Sequence, residues 1–588
     1  MSPIRDYRWT FPSANGSATT SPLDLQASVK RLSDELTVSP VLAEILVRRG
    51  IDTLEKARLY FRPTLDDLHD PFLMDGMAKA TERIISAVTS GEHITVYGDY
   101  DVDGTNGASL LTTFFRSIGA KVRPYIPDRL KEGYGLSNAG IDQAKESGTT
   151  LLVSIDCGIT AVAQAEYAKS VGLDLIICDH HEPGDTLPDA FAILNPLKPG
   201  CSYPFKYLCG CGVGFKLVQA LCRHEYVQSK FAGDAESQLA SYLDLVTLAT
   251  TADIVPLVNE NRTLVKLGLE LINTGPRPGI RGLMESAGLQ PGRISTGQIV
   301  FILAPRINAV GRLGDANRAV ELLTCPSFEQ SIELAKVFEE ENRNRRKIDE
   351  VTFIEARDLV DNSFDMEKES AIVLHQETWH PGVIGIVASR LVERYYRPTI
   401  MMTTIDGIAK GSARSVAGFD IYQALKRCED KLLQFGGHKY AAGLSVALDR
   451  VDEFKAAFAE VARELLTGDI LTPEIHIEAE VQMADLTPKF IRILSQCAPF
   501  GPKNMRPVFA VRNVEVYGSP RIVGNNHLRF KVKQGSRIFD CIGFNLGGLV
   551  DRLKNRTIDL AFSLDESDYG GETVPQLKIR DIKNSISA

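Results

Sequence analysis

Apolar and polar positions alternate in two rhythms along this chain, and each change of rhythm marks a part. Between residues 40 and 90 apolar residues recur at helical spacing, as in Val41, Leu42, Ile45 and Leu46 and again in Ala80, Ile84, Ile85 and Val88. From His93 to about Pro204, short β-branched runs (HITVYGD, KVRPYIP, TLLVSID, DLIICD) are separated by stretches long enough for crossover helices. That alternation predicts a parallel sheet of α/β type, and three of the four runs end in Asp. Residues 328–360 are charged throughout, with Glu339/Arg343 and Glu341/Arg345 at i,i+4 spacing, which predicts a long connecting helix with a solvated face. AIVLHQ and PTIMMTT belong to a second α/β unit, and from Lys503 five alternating runs with Gly and Asn turns predict a small β-barrel. Residues 1–22, rich in Ser, Thr, Pro and Gly, read as a loose arm. The expected order is an arm over 1–39, an α/β domain with a helical N-terminal part over 40–325, a connecting helix over 326–366, an α/β domain over 367–468 and the barrel over 469–588.

A length of 588 residues exceeds one core, and 44% hydrophobic with 24% charged residues excludes disorder, collagen and rod. No run approaches a membrane span, and the polar N-terminus lacks a signal-peptide core, so a cytoplasmic protein without membrane contact is expected. Ten cysteines without paired spacing fit reduced thiols. Cys201, Cys209, Cys211 and Cys222 lack a CxxC knuckle and read as packing thiols rather than a zinc site. GCGVGFK lacks the spacing of an ATP loop. The net charge of -9 hides an asymmetry: from Leu471 to Ala588, 16 Lys and Arg face 13 Asp and Glu, so the tail tolerates a polyanion better than the rest.

The chemistry gathers at strand ends. Asp99, Asp101 and Asp103 follow an apolar strand at alternate positions, a repulsive arrangement that a divalent cation relieves. An EF-hand is excluded, because Leu110 stands at its twelfth position. Asp156 ends the next strand, and Asp179, His180 and His181 end a third. Ligands of an open α/β sheet collect at the carboxyl ends of its strands, so the three segments are expected to converge. Asp253, between apolar residues in TLATTADIVP, is a further ligand candidate or a helix cap.

YGDYDVDG, SIDCG, CDHH and TADIVP resemble the four motifs of the DHH phosphoesterases, and GGHKYAAG resembles the associated DHHA1 domain. Over residues 40–585 the chain is similar to the single-strand-specific 5′→3′ DNA exonucleases of that family. The resemblance implies a parallel-sheet DHH domain, a DHHA1 domain and an oligonucleotide-binding barrel. It implies two divalent cations, Mn2+ preferred and Mg2+ possible: Asp101 and Asp156 at the first, and Asp103, Asp156, His180 and Asp253 at the second. Asp99 ranks below these ligands, Asp179 orients an imidazole, and His181 faces the scissile phosphate. Ser412, Arg414, Gly436, Gly437 and His438 are implied in holding the terminal nucleotide, while Arg129, Arg306 and Arg312 are either basic contacts near the 5′ end or surface ion pairs. The implied activity releases 5′-mononucleotides in DNA repair and recombination, by a monomer that works with a single-strand-binding protein and a helicase. The alternatives are a phosphodiesterase of short oligonucleotides, cyclic dinucleotides or phosphorylated adenosine phosphate, and a catalytically silent DNA-binding scaffold. Phe509, Tyr517, Phe530 and Phe539 read either as base-stacking platforms or as barrel core.

Overall fold

The β-branched runs after residue 92 form a five-stranded, wholly parallel sheet: β1 (His93–Gly98), β2 (Lys121–Tyr125), β3 (Thr149–Ile155), β4 (Asp174–Cys178) and β5 (Ala192–Leu194), in the order β2-β1-β3-β4-β5. Successive residues of each strand serve opposite layers. Leu151, Val153 and Ile155 join one core and Leu152 another, so the strands read as continuous apolar runs. Helices α1 (Val102–Ser117), α2 (Asn138–Glu146) and α3 (Val162–Ser170) follow β1, β2 and β3. Further on, α4 (Gly210–Cys222) and α5 (Leu243–Ala252) enlarge the first core. The strand order reverses between β1 and β3, and the carboxyl ends of those two strands flank the crevice where such sheets bind ligands.

The computed structural model describes residues 6–12, 22–129, 132–365, 368–466, 468, 470–554, 557–569 and 572–585. The chain divides into two compact units, one of Thr53–Arg343 with Gln496–Arg506, the other of Met1–Asp52, Asn344–Ser495 and Pro507–Ala588. After α6 (Ala304–Leu313), the boundary falls inside α7 (Phe328–Ser363), a single 36-residue helix in which Arg343 lies 4.0 Å from Glu339.

In the second unit, β6 (Ile372–His375), helix α8 (Ile384–Tyr395), β7 (Thr399–Ile405), β8 (Ile408–Arg414), β9 (Gln434–His438) and β10 (Ala441–Ala447) build a mixed sheet ordered β9-β10-β8-β7-β6. The barrel strands are β11 (Val508–Val523), β12 (His527–Gln534), β13 (Arg537–Gly543), β14 (Thr557–Tyr569) and β15 (Glu572–Asn584), with β11 pairing β14 to close the barrel. Helix Pro40–Arg48 belongs to this unit, with Leu42 and Ile45 in the barrel core.

The structure decides between the two readings of the barrel aromatics and corrects the reading of the N-terminal arm. Phe509, Phe530 and Phe539 are core residues of the barrel, and only Tyr517 of the four aromatics is exposed. Parity explains it: Phe530 points with Leu528 and Val532, whereas Arg529, Lys531 and Lys533 point outward. The N-terminal arm is also structured in part. Residues 1–5 and 13–21 lie outside the described residues, but Arg8–Thr10 pairs with Glu474–His476 as a parallel strand. Trp9 donates from Nε1 to Asp581 Oδ2 at 2.8 Å and carries Arg512 and Lys583 over its ring. Helix Pro22–Leu36 follows. Among the described residues no helix is long and apolar enough to cross a membrane. All ten cysteines are free, and nine are buried.

Candidate active site

Each acid that ends a strand is held by local geometry. Asp101 caps α1, its Oδ1 accepting from the N–H groups of Asp103 (2.9 Å) and Gly104 (3.2 Å). Asp103, in the first turn of α1, accepts from the N–H groups of Gly210 (2.6 Å) and Cys211 (2.8 Å), so the positive end of α4 faces its carboxylate. The first residue of α4 must be glycine for this approach, because a Cβ at Gly210 would lie 2.6 Å from Asp156 Cβ. Asp156 follows β3 at φ +63, a left-handed conformation that costs an L-residue about 1–3 kcal/mol. Its N–H is tied to the Cys178 carbonyl at 2.9 Å. Asp253 ends α5, where the helix dipole opposes a carboxylate.

Three sets of ligand atoms lie within 4.8 Å of one another: Asp99/Asp101/Asp156, Asp103/His180/Asp253 and Asp156/His180/His181. His180 Nε2 stands 3.2 Å from Asp156 Oδ1, 3.7 Å from Asp253 Oδ2 and 3.8 Å from Asp103 Oδ2. An octahedral cation with bonds of about 2.1 Å sets neighbouring ligand atoms about 3 Å apart and opposite ones about 4.2 Å apart. The spacings here fall within that span. Asp99 Oδ1, Asp156 Oδ1, His180 Nε2 and Asp253 Oδ2 are buried without a hydrogen-bond partner, a costly arrangement that a bound cation resolves. Burial first, and the charges of their acidic neighbours second, push the Asp99, Asp101, Asp156 and Asp253 carboxyls above the usual carboxylate range. Burial holds His180 low, which leaves it neutral and able to ligate. The donor set is oxygen-rich with one or two imidazoles, which suits Mn2+ or Mg2+.

His181 is placed differently. Asp179 Oδ1 accepts from the His180 and His181 N–H groups and lies 2.8 Å from His181 Nδ1, while its Oδ2 accepts from Ile159 N–H. Burial would lower the His181 pKa, but the hydrogen bond and charge of Asp179 outweigh it and the net shift is upward.

Sequence reasoning overlooked Tyr134, whose Oη lies 3.3 Å from His181 Nε2 and donates to the Asp156 carbonyl at 3.3 Å. It also overlooked Asn308, whose Oδ1 accepts from Val102 N–H beside the acidic loop. Both sit in segments read only for their arginines. The Arg129 guanidinium lies 4.9 Å from the Tyr100 ring, and the charge of Arg312 reaches the same tyrosine. Arg306 is not offered to the surface. It is buried and donates to Glu339 Oε2 (2.7 Å) and the Ile302 carbonyl, so it forms an interior ion pair, neither a surface one nor a free basic contact.

In the second unit, β-register groups the remaining residues. Gly436, Gly443 and Ser412 align across β9, β10 and β8, and His438, Ala441 and Arg414 align two residues on. Rows two apart share a face, which puts Ser412, Arg414, Gly436 and His438 together and Gly437 on the intervening row. Arg414 Nη1 donates to Ser412 Oγ at 2.9 Å, and burial lowers its pKa. Among the described residues no carboxylate pairs with it. The first turn of α8 comes so close that a Cβ at Gly385 would stand 2.8 Å from Ser412 Oγ and 2.9 Å from Arg414 Nη2. A half-buried cation, a hydroxyl and a helix start in one place suit a phosphate.

Family models match in the order in which these units occur in the chain: the N-terminal domain of the DHH family over residues 93–250, the DHHA1 domain over 368–464 and the RecJ OB domain over 477–581. A relative from Bacillus subtilis (strain 168), "Single-stranded-DNA-specific exonuclease RecJ", is 39% identical over 561 residues, 95% of this chain and 69% of the relative. The crystal structure of RecJ from Thermus thermophilus in complex with Mn2+ matches 99% of this chain and 80% of its own, with a TM-score of 0.82 and 29% identity. The corresponding Mg2+ complex covers 99% of this chain and 79% of its own, with a TM-score of 0.77 and 27% identity. With these three domains in sequence and that likeness over nearly its whole length, the chain belongs to the RecJ family of DHH/DHHA1 phosphoesterases.

Proposed function

We propose that this chain is a divalent-metal-dependent exonuclease that degrades single-stranded DNA from its 5′ end to 5′-mononucleotides, in DNA repair and recombination. One observation carries the reading: acids and a histidine from four separate segments meet with ligand atoms buried and unpartnered. The names of its relatives support single-stranded DNA as substrate, and the two Thermus complexes support Mn2+ and Mg2+ as the cations.

Asp99, Asp101 and Asp156 hold one cation, and Asp103, Asp156, His180 and Asp253 hold the other, with Mn2+ preferred. When bound, such cations lower the pKa of a coordinated water and stabilise charge on the departing oxygen. The protein's own groups do the rest. Asp179 holds His181 through Nδ1 and raises the proton affinity of the ring, so His181 is the imidazole turned to the scissile phosphate. Tyr134 Oη lies against the same ring, 3.4 Å from Nδ1 and 3.3 Å from Nε2. Ser412, Arg414, Gly436, Gly437 and His438 hold the terminal phosphate, with Arg129 and Arg312 as further cations. The barrel binds the trailing strand through exposed Tyr517 and the outward Arg529, Lys531 and Lys533. The protein acts as a cytoplasmic monomer alongside a single-strand-binding protein and a helicase.

The test compares 5′-labelled and 3′-labelled single strands with Mn2+, with Mg2+ and with chelator. The expected result is immediate release of labelled mononucleotide from the 5′ end alone, lost with chelator. Release from the 3′ end first, or activity that survives chelation, overturns the reading. Cleavage confined to dinucleotides would replace it with the small-nucleotide phosphodiesterase.

A further inference from the structure

Two large apolar side chains stand in solvent beside the Asp103/His180/Asp253 group. Ile254 directly follows Asp253 and is 61% exposed, at φ +60. A β-branched residue in the left-handed region is a true outlier, and a flexible glycine there would relieve it. Tyr207, 55% exposed, precedes Leu208, whose backbone lies beside the His180 ring and raises its pKa against the larger effect of burial. The two segments are clamped together by one buried amide: Asn261 Nδ2 donates to the carbonyls of Tyr207 (2.5 Å) and Pro256 (3.0 Å). The Tyr207 ring is braced edge-on by Phe205, with centroids 5.7 Å apart. A braced aromatic and a strained aliphatic are thus tied to one amide, Ile254 next to the candidate ligand Asp253 and Tyr207 next to Leu208, whose backbone lies beside His180. Neither hydrolysis nor packing uses them.

We propose that Tyr207 and Ile254 are positioning residues that receive the nucleobase flanking the scissile phosphate. This deepens the exonuclease reading and rests on it. A phosphodiester site handles only the charged part of a nucleotide; the adjoining base has an apolar face, and an aromatic plane beside the cluster is its complement. Every base has such a face, so the contact favours an unpaired, unstacked nucleoside without selecting sequence.

The experiment measures kcat and KM for the full-length protein with Mn2+, on a 5′-phosphorylated single strand and on the same strand with abasic residues at its two 5′-terminal positions. The variants are Tyr207→Ala, Tyr207→Phe and Ile254→Gly, the last removing the side chain while relieving the backbone. On the normal strand Tyr207→Ala and Ile254→Gly are expected to raise KM about 5- to 100-fold, the span of one base stack. Neither changes kcat or Mn2+ affinity beyond about threefold, and Tyr207→Phe restores the wild-type KM. On the abasic strand the wild-type KM is already raised and the variants add nothing. An unchanged KM, or an equal loss on both strands, overturns the inference. Wild-type protein that cleaves neither strand overturns the exonuclease reading itself.

Discussion

A single methyl group at Gly210 tests whether the two carboxylate groups form one machine. The added Cβ would lie 2.6 Å from Asp156 Cβ, 2.7 Å from its Cα and 2.8 Å from Oδ1, short of an ordinary 3.4 Å contact by about 0.8 Å. The two nearest atoms, Cβ and Cα, are fixed to the Asp156 backbone, so rotating the carboxylate cannot relieve the contact. Asp156 is pinned by its N–H bond to Cys178, and the start of α4 is pinned by the two N–H bonds to Asp103. Whichever side yields, a ligand moves by most of an ångström: Asp156, which two of the groups share, or Asp103, which α4 holds. Overpacking of this kind costs about 1–3 kcal/mol, and a misplacement of about 1 Å in a reacting constellation costs on the order of 100-fold in rate. Gly210→Ala is therefore expected to fold, to bind Mn2+ about tenfold or more weakly by calorimetry, and to lose about 100-fold in kcat. Gly212→Ala is the control from the same helix. Its Cβ would meet Leu208 at 3.4 Å, an ordinary contact, so activity is retained and stability rises by about 0.5–1 kcal/mol. A Gly210→Ala protein with wild-type kcat and Mn2+ affinity would refute the reasoning.

The raised carboxyls make the metal-free protein pH-sensitive. Asp99, Asp101, Asp156 and Asp253 favour their protonated forms in the fold. Above the unfolded value of about 4 the folded chain thus holds more protons than the unfolded one, and stability falls as pH rises, by about 1.4 kcal/mol per carboxyl per unit of displacement. His181, also raised, acts in the same direction above about pH 6.5, and His180, held low, opposes only below it. Thermal melts should show chelated protein losing stability as pH rises above about 6.5, where His180 no longer opposes, with Mn2+ restoring more at higher pH than at lower; a flat chelated profile contradicts the cluster. Asp179→Asn removes the charge that holds His181 upward, so NMR of the metal-free ring should show its pKa drop, with kcat down about 10–100-fold. An unmoved His181 titration excludes that role. Arg414→Ala should cut the preference for 5′-phosphate over 5′-hydroxyl ends by about 10–100-fold, as a lost charge-assisted bond does, without lowering the melting temperature. Equal use of both ends by wild-type protein would remove the phosphate assignment.

What the sequence disclosed and what it hid follow from range. Asp99, Asp156 and Asp179 were legible because a buried parallel strand is a continuous apolar run, and the first acid after it lies at the end where ligands gather. Asp253 was legible as a carboxylate between apolar residues, although its place at the end of α5, against the dipole, needed the fold. Groups that act through the backbone left no side-chain trace. The N–H pair of Gly210 and Cys211 that holds Asp103 lies more than a hundred residues away in a glycine-rich run that lacks the spacing of an ATP loop. Tyr134 and Ile254 stood within segments already marked for an arginine and an acid, and nothing in composition separates an exposed tyrosine from a buried one. The barrel aromatics could have been sorted by parity alone, since Phe530 alternates with three cations on one strand.

The parts that resisted the sequence are also those that make the site specific. Paired carboxylates at strand ends would hold a cation in many α/β crevices, and they explain hydrolysis without explaining the substrate. Selection for a single strand needs surfaces that accept an unstacked base, and those are single exposed side chains with no spacing rule. Tyr207 and Ile254 beside the ligands, and Tyr517 among outward cations on the barrel, are such side chains. On the proposed reading, substrate choice resides in the direction a few apolar side chains point, and chemistry in which acids end which strands.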